Sequence, residues 1–203
     1  MSPAPCYNDA TATKGGFVIP AYQKYLKEVL ITEDRLQERV AQLGAQISAD
    51  YANSDNLLLI CVLKGGVMFL TDLMRHISVP HEIDFMAASS YGAGKRETTG
   101  TVRIDMDVKS VIEGRDILIV EDIIDSGLTL RFVLDTLEAR RPRSLRLCTL
   151  LNKASRREVS INTDYVGFEI ENRFVFGYGL DLDDKFRNLP FVGVVEEDAL
   201  LYD

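Results

Sequence analysis

This chain of 203 residues is short of the groups that several common functions require. It has two histidines, His76 and His81, too few for a histidine-rich metal cluster. Its three cysteines, Cys6, Cys61 and Cys148, are widely spaced, giving neither a CxxC pair nor an even disulfide framework. Lys and Arg number 23 against 31 Asp and Glu, and the net charge of −8 argues against a nucleic-acid or anionic-membrane surface. An anionic substrate would need basic groups supplied locally. No apolar run is long enough to span a membrane, and the first residues lack the basic-then-apolar pattern of a secretion signal. The closing Leu201, Tyr202 and Asp203 are not a peroxisomal address, so the expected location is cytoplasmic. GxxxxGK[ST] and GxGxxG are both absent, which excludes a Walker A loop and a dinucleotide fingerprint.

What is present is ordinary globular material. With 46% hydrophobic and 27% charged residues, the chain suits a single domain over 1–203 with a sizeable core. Residues 1–16, rich in Ala, Thr, Pro and Gly without periodicity, read as a loosely ordered tail. Residues 27–31 suit a strand, and Thr32 then stands as N-cap with Glu33 and Asp34 in the first turn. Leu36, Val40, Leu43, Ile47 and Tyr51 fall on one face of the helix that follows. Further strands are expected at 56–62, 81–88, 102–106, 117–120, 145–151, 165–170 and 191–195, with helices at 67–77 and 128–139. Arg140, Arg141 and Arg143 read as favourable charges at the end of the second of these helices. Alternating strands and helices imply an α/β fold, a mostly parallel sheet with helices on both faces.

The most informative stretch is ILIVEDIIDSGLTL, from Ile117 to Leu130. An apolar strand, Ile117 to Val120, delivers Glu121 and Asp122 to the carboxyl edge of the sheet, the usual ligand position in open α/β folds. Asp125, Ser126, Gly127, Leu128 and Thr129 then suit a turn whose free N–H groups face an anion at a helix start. The carboxylates could bind ribose hydroxyls or Mg²⁺ while the turn holds a phosphate on the same sugar. A plainer reading makes Asp125 or Ser126 a helix cap, which leaves the two acids after the strand unexplained.

Other segments are ambiguous taken singly. Lys64, Gly65 and Gly66 follow a strand and allow close backbone approach to an anion, or simply turn the chain into a helix. SSYGAGKRETTGT, from Ser89 to Thr101, is a long mobile loop or a solvated hairpin tip. Lys153, at a strand end, and Phe174 are by themselves a surface lysine and a core aromatic.

Taken in order, however, IVEDIIDSGLT, LKGG, SYG at Ser90 to Gly92, Lys153, and FVFGYGLD from Phe174 to Asp181 followed by Arg187 resemble the phosphoribosyltransferases. In detail the pattern is similar to the purine branch acting on hypoxanthine and guanine. The resemblance implies the type I phosphoribosyltransferase fold, with a small hood formed by about 17–35 and 174–203. It also implies Mg²⁺-dependent transfer of 5-phosphoribosyl from its 1-diphosphate to hypoxanthine or guanine.

Residue by residue, Glu121 and Asp122 would hold the ribose and metal, Ser126 to Thr129 the 5′-phosphate, and Asp125 would act as general base toward purine N7. Lys64, Gly65 and Arg187 would bind pyrophosphate, and a cis peptide is expected between Leu63 and Lys64. Lys153, Phe174, Val175 and Asp181 would contact the purine, Asp181 also touching metal, while Ser90 and Tyr91 belong to a lid. Ser126 and Leu128 depart from the Thr and Lys that other members often carry, so phosphate binding would rest on N–H groups and hydroxyls. Dimers or tetramers are expected. The rival reading is a regulatory protein that keeps the fold and senses nucleotides without catalysis.

Overall fold

The computed structural model describes residues 21–91 and 101–196. Six strands form the main sheet in the order β4-β3-β2-β5-β6-β7. They are β2 (Leu57–Leu63), β3 (His81–Tyr91), β4 (Thr101–Met106), β5 (Asp116–Ile124), β6 (Ser144–Asn152) and β7 (Tyr165–Glu169). All neighbours are parallel except β3 and β4, which pair antiparallel at one edge. The tail assigned to 1–16 and the middle of the lid loop, 92–100, lie outside the described residues.

The helices α1 (Glu33–Asp50), α2 (Val67–Arg75) and α3 (Leu128–Glu138) cover both faces, as the alternation of the strands requires. In β2, Leu57, Leu59 and Cys61 join the core that contains α1 and α2, through Leu36, Val40, Leu43, Phe69 and Leu73. Leu58, Ile60 and Val62 turn the other way and meet Leu130, Val133 and Leu137 of α3. In β5, Leu118 and Val120 face the first core, Ile117 and Ile119 the second. A strand buried on both sides must be apolar throughout, which is why these two read as unbroken hydrophobic runs.

The strand expected at 117–120 is longer than its apolar stretch. Pairing with β6 continues through Glu121↔Thr149, Ile123↔Leu151 and Ile124↔Asn152, so the two acids stand within the strand rather than just beyond it. The β2–β5 ladder stops at Cys61↔Val120, which leaves the acids paired on one side only and opens their other side.

A second sheet, in the order β1-β9-β8, joins β1 (Leu26–Ile31) to β9 (Val192–Val195) and β8 (Val175–Phe176). This small sheet, built from two distant stretches of the chain, is called the hood. Phe176, Leu182, Leu189 and Val195 make its own small core.

The arginines after α3 are placed differently from expectation. None lies in its last turn. Arg140 pairs with Asp107 at 2.8 Å and Arg141 with Glu113 at 2.8 Å. Arg143 reaches the buried Asp116 at the start of β5, with Nε at 3.0 Å from one carboxylate oxygen and Nη2 at 2.5 Å from the other. Ser54 and Ser144 also donate to Asp116, at 2.6 and 2.7 Å. Arg143 above all holds this carboxyl far below its ordinary range, against the opposing effect of burial. A depressed folded-state value stabilises the fold above the unfolded carboxyl range and loses that contribution as pH falls. An Asp116→Asn variant should therefore lose about 1–3 kcal/mol at pH 7. In denaturant titrations across pH the deficit should shrink below about pH 4, where the wild type loses the same contribution.

Candidate active site

Two parallel strands, β2 and β5, end at one edge of the sheet, and together with the hood they line a common cavity of about 330 Å³. From β2 come Lys64 and Gly65, after a Leu63–Lys64 peptide that is cis, with Gly66 as the N-cap of α2. From β5 come Glu121 and Asp122, then Asp125, Ser126, Gly127 and Thr129, all lining the cavity. From the hood come Asp181 and Arg187. The turn after β5 caps a helix. Gly127 caps α3 at φ 85°, a conformation that suits glycine, and the Leu128 N–H donates to Ser126 Oγ at 3.4 Å. The first helical amide satisfied by a carbonyl of this turn is that of Arg131, to Gly127, so the earlier ones point toward the cavity end of the helix.

Glu121 and Asp122 are desolvated together. Burial, reinforced by the neighbouring Asp122 carboxylate, pushes Glu121 well above the usual carboxylate range, and burial likewise raises Asp122. Such a pair gains from any positive charge or hydroxyl donor brought against it. Asp122 also packs on the loop from β2, where a Cβ added to Gly65 would lie 1.5 Å from Asp122 Oδ2. Gly65 is a glycine for want of space.

Asp125 is held at both oxygens. Lys153, buried after β6, donates to Oδ2 at 3.3 Å, and Arg156 Nε donates to Oδ1 at 3.2 Å. Sequence reading singled out Lys153 but missed Arg156 and its neighbour Arg157, whose guanidinium hydrogen-bonds Asn152 and would lie 3.1 Å from a Cβ on Gly127. The Glu158 N–H bonds to the Ser126 carbonyl at 3.0 Å, so residues 153–158 back the phosphate-type turn along its length. Two arginines three and four residues after a lysine, at a strand end in so acidic a chain, were the available signal.

Lys64 and Arg187 converge on Asp184, a residue the sequence reading passed over. Lys64 Nζ lies 3.1 and 3.0 Å from its two oxygens and Arg187 Nη2 2.9 Å from one of them. Arg187, and then Lys64, hold the Asp184 carboxyl below its ordinary value. Arg187 also pairs with Asp181 at 2.8 Å. The two cations expected to meet pyrophosphate therefore share one anionic site already.

Lys153, Phe174, Val175 and Leu128 are not part of the cavity lining. Phe174 is half exposed at the entry to β8, Val175 is buried in the core shared with α1 and α2, and Leu128 sits in the first turn of α3. Ser90 and Tyr91 end β3. Among the described residues no three or more His, Cys, Asp or Glu side chains form a ready metal cluster. Glu121, Asp122 and Asp181 nevertheless border one cavity, and that fits Mg²⁺, which takes one or two carboxylates and completes its shell with water and substrate phosphate oxygens.

Comparison with known proteins places this geometry. The phosphoribosyl transferase domain model matches residues 31–183. The hypoxanthine-guanine phosphoribosyltransferase of Mycobacterium tuberculosis is 46% identical over 192 residues, covering 92% of this chain and 95% of that protein. The hypoxanthine phosphoribosyltransferase of Salmonella typhimurium is 50% identical over 173 residues, covering 85% and 97%. A crystal structure of a hypoxanthine phosphoribosyltransferase from Staphylococcus aureus superimposes with a TM-score of 0.82 at 43% identity, covering 88% of this chain and 95% of that one. The expected type I fold is that of this group. The chain belongs to the phosphoribosyl transferase family, within its hypoxanthine and hypoxanthine-guanine phosphoribosyltransferases.

Proposed function

We propose that this chain carries out the Mg²⁺-dependent transfer of 5-phosphoribosyl from phosphoribosyl diphosphate to hypoxanthine or guanine, giving IMP or GMP and pyrophosphate. The observation that carries the reading is the convergence, on one cavity, of a basic loop, a desolvated acid pair, a helix-capping turn with a carboxylate at its head, and a hood arginine. Purine N9 bonds to C1′ as the C1′–O bond to the diphosphate breaks, and the N7 proton passes to Asp125. Catalysis through such an oxocarbenium-like state is mainly positioning and charge stabilisation.

Ser126 to Thr129 hold the 5′-phosphate with amides and hydroxyls, and Glu121 and Asp122 accept the ribose hydroxyls. Lys64, the Gly65 amide and Arg187 take the charge of the departing pyrophosphate, Asp184 yielding its place. Asp181, with Glu121 or Asp122, would hold Mg²⁺, which would supply further neutralisation of that charge. Lys153 donates to the 6-oxo group, which frees Asp125 Oδ2 for N7 while Arg156 keeps Oδ1. Phe174 and Val175 border the base, and Ser90 and Tyr91 close over it to exclude water.

The same reading makes the protein a cytoplasmic salvage enzyme, a homodimer or homotetramer, with no nucleic-acid or membrane partner. No helix among the described residues is long and apolar enough to cross a membrane. The test is product formation from phosphoribosyl diphosphate, Mg²⁺ and each of hypoxanthine, guanine, xanthine and adenine. Turnover of hypoxanthine and guanine but not adenine is expected. Nucleotide binding without turnover of any base would overturn the enzyme reading in favour of a nucleotide sensor.

A further inference from the structure

We propose that Tyr178, inside the FVFGYGLD segment, is a positioning residue that fixes the pyrophosphate side of the site through a part-buried hydrogen bond to Asp72 on α2. The inference rests on the phosphoribosyl transfer proposed above and extends it to a residue that touches no substrate. Tyr178 is 2% exposed, and its hydroxyl donates to Asp72 Oδ2 at 2.7 Å. Gln37 of α1 donates to the same oxygen at 3.0 Å, so Asp72 gathers one donor from the other core helix and one from the hood. Burial first, and then the Asp72 bond, push the Tyr178 hydroxyl far above its ordinary range, so it remains a donor at every working pH.

Both ends of this link matter to the site. Asp72 stands on α2, whose N-cap, Gly66, closes the loop carrying Lys64 and Gly65. Tyr178 is followed by Gly179, and Gly179 anchors Arg187 twice: its N–H donates to the Arg187 carbonyl at 2.8 Å, and its carbonyl accepts from Arg187 Nη1 at 2.8 Å. Gly179 also lies directly on the loop from β2, since a Cβ there would come within 2.1 Å of the Gly65 carbonyl oxygen. One bond thus ties the hood turn that aims Arg187 to the helix that carries the Lys64 loop.

The turn needs such a tie. Gly177, Tyr178 and Gly179 have φ values of 94°, 50° and 98°, and Tyr178 has no glycine's freedom to adopt that region. A left-handed residue other than glycine is strained, and the hydrogen bond to Asp72 offsets that strain.

The test uses the full chain as Tyr178→Phe, which keeps the ring and removes the donor, beside Asp72→Asn, which keeps an acceptor for both donors. Inorganic pyrophosphate binding is measured by calorimetry with and without Mg²⁺, and KM is measured for phosphoribosyl diphosphate and for hypoxanthine. In Tyr178→Phe the pyrophosphate Kd and the phosphoribosyl diphosphate KM should both rise about tenfold, the worth of one hydrogen bond. The hypoxanthine KM should stay within about twofold, and Asp72→Asn should keep wild-type pyrophosphate affinity, since by geometry alone the link needs only an acceptor. An unchanged pyrophosphate Kd in Tyr178→Phe, or an equal rise in both KM values, would overturn the proposal. A wild type that binds no pyrophosphate at all would instead remove the phosphoribosyl-transfer reading on which it stands.

Discussion

An Asp125→Asn variant should turn over at least about 100-fold more slowly while binding phosphoribosyl diphosphate with nearly unchanged affinity, the usual signature of a lost general base. Asparagine fills the same space and can still accept from Arg156 or Lys153, which donate to the two Asp125 oxygens at 3.2 and 3.3 Å. It cannot take the proton from purine N7. The measurement is steady-state kcat and KM beside equilibrium binding of phosphoribosyl diphosphate. Loss of kcat with retained binding separates proton transfer from site collapse, whereas retained turnover would move the base elsewhere. A second consequence follows from Lys153, whose side chain is only 6% exposed and whose ion-pair partner is Asp125. Leaving that ammonium without its counter-charge should cost about 1–2 kcal/mol of stability, discounted because Asp125 itself is partly open to solvent.

Gly65→Ala should be nearly as severe for a different reason. Its added methyl would fall 1.5 Å from Asp122 Oδ2 and 2.6 Å from Asp122 Cγ. Asp122 has little room to yield, because it is buried and its other oxygen accepts from the Ile123 N–H at 2.7 Å. Either Asp122, proposed to face the ribose, or the β2 loop, proposed to take pyrophosphate, must move, and a misplacement on the order of 1 Å costs about 100-fold in rate. The loss should appear in kcat/KM for phosphoribosyl diphosphate. Gly114→Ala is the control: Gly114 has φ 72° and nothing within 4 Å of its Cβ position. That variant carries backbone strain without a clash, so it should lose stability and leave kcat/KM in place.

Much of this was legible because it depends on local pattern. The buried strands announce themselves as unbroken apolar runs, α1 by the spacing of Leu36, Val40, Leu43, Ile47 and Tyr51, all of which are buried. The acid pair and the turn after β5 were readable because strand, carboxylates, glycine and helix follow one another without interruption. What stayed hidden joins residues far apart in sequence. Lys64 meets Asp184 only because the hood folds back over the β2 loop, and Arg143 reaches Asp116 only because β5 and β6 lie side by side. Arg140 and Arg141 looked like helix-end charges for the same reason, their true partners lying in the segment before β5. Likewise the extent of β5 was set by its ladder with β6, which composition does not reveal. Tyr178 had no local signal beyond its two flanking glycines.

The hood sheet sets an order of events during synthesis. Its edge strand β1 leaves the ribosome first but pairs with β9, among the last of the described segments to appear. The parallel sheet from β2 to β7 can assemble before then, burying most of the hydrophobic core. Arg187 and Asp181, between β8 and β9, arrive only with the closing stretch. A growing chain can thus bury most of its core before the two hood residues assigned above to the leaving group and its metal are in place, and under that assignment activity waits on the pairing of the hood strands.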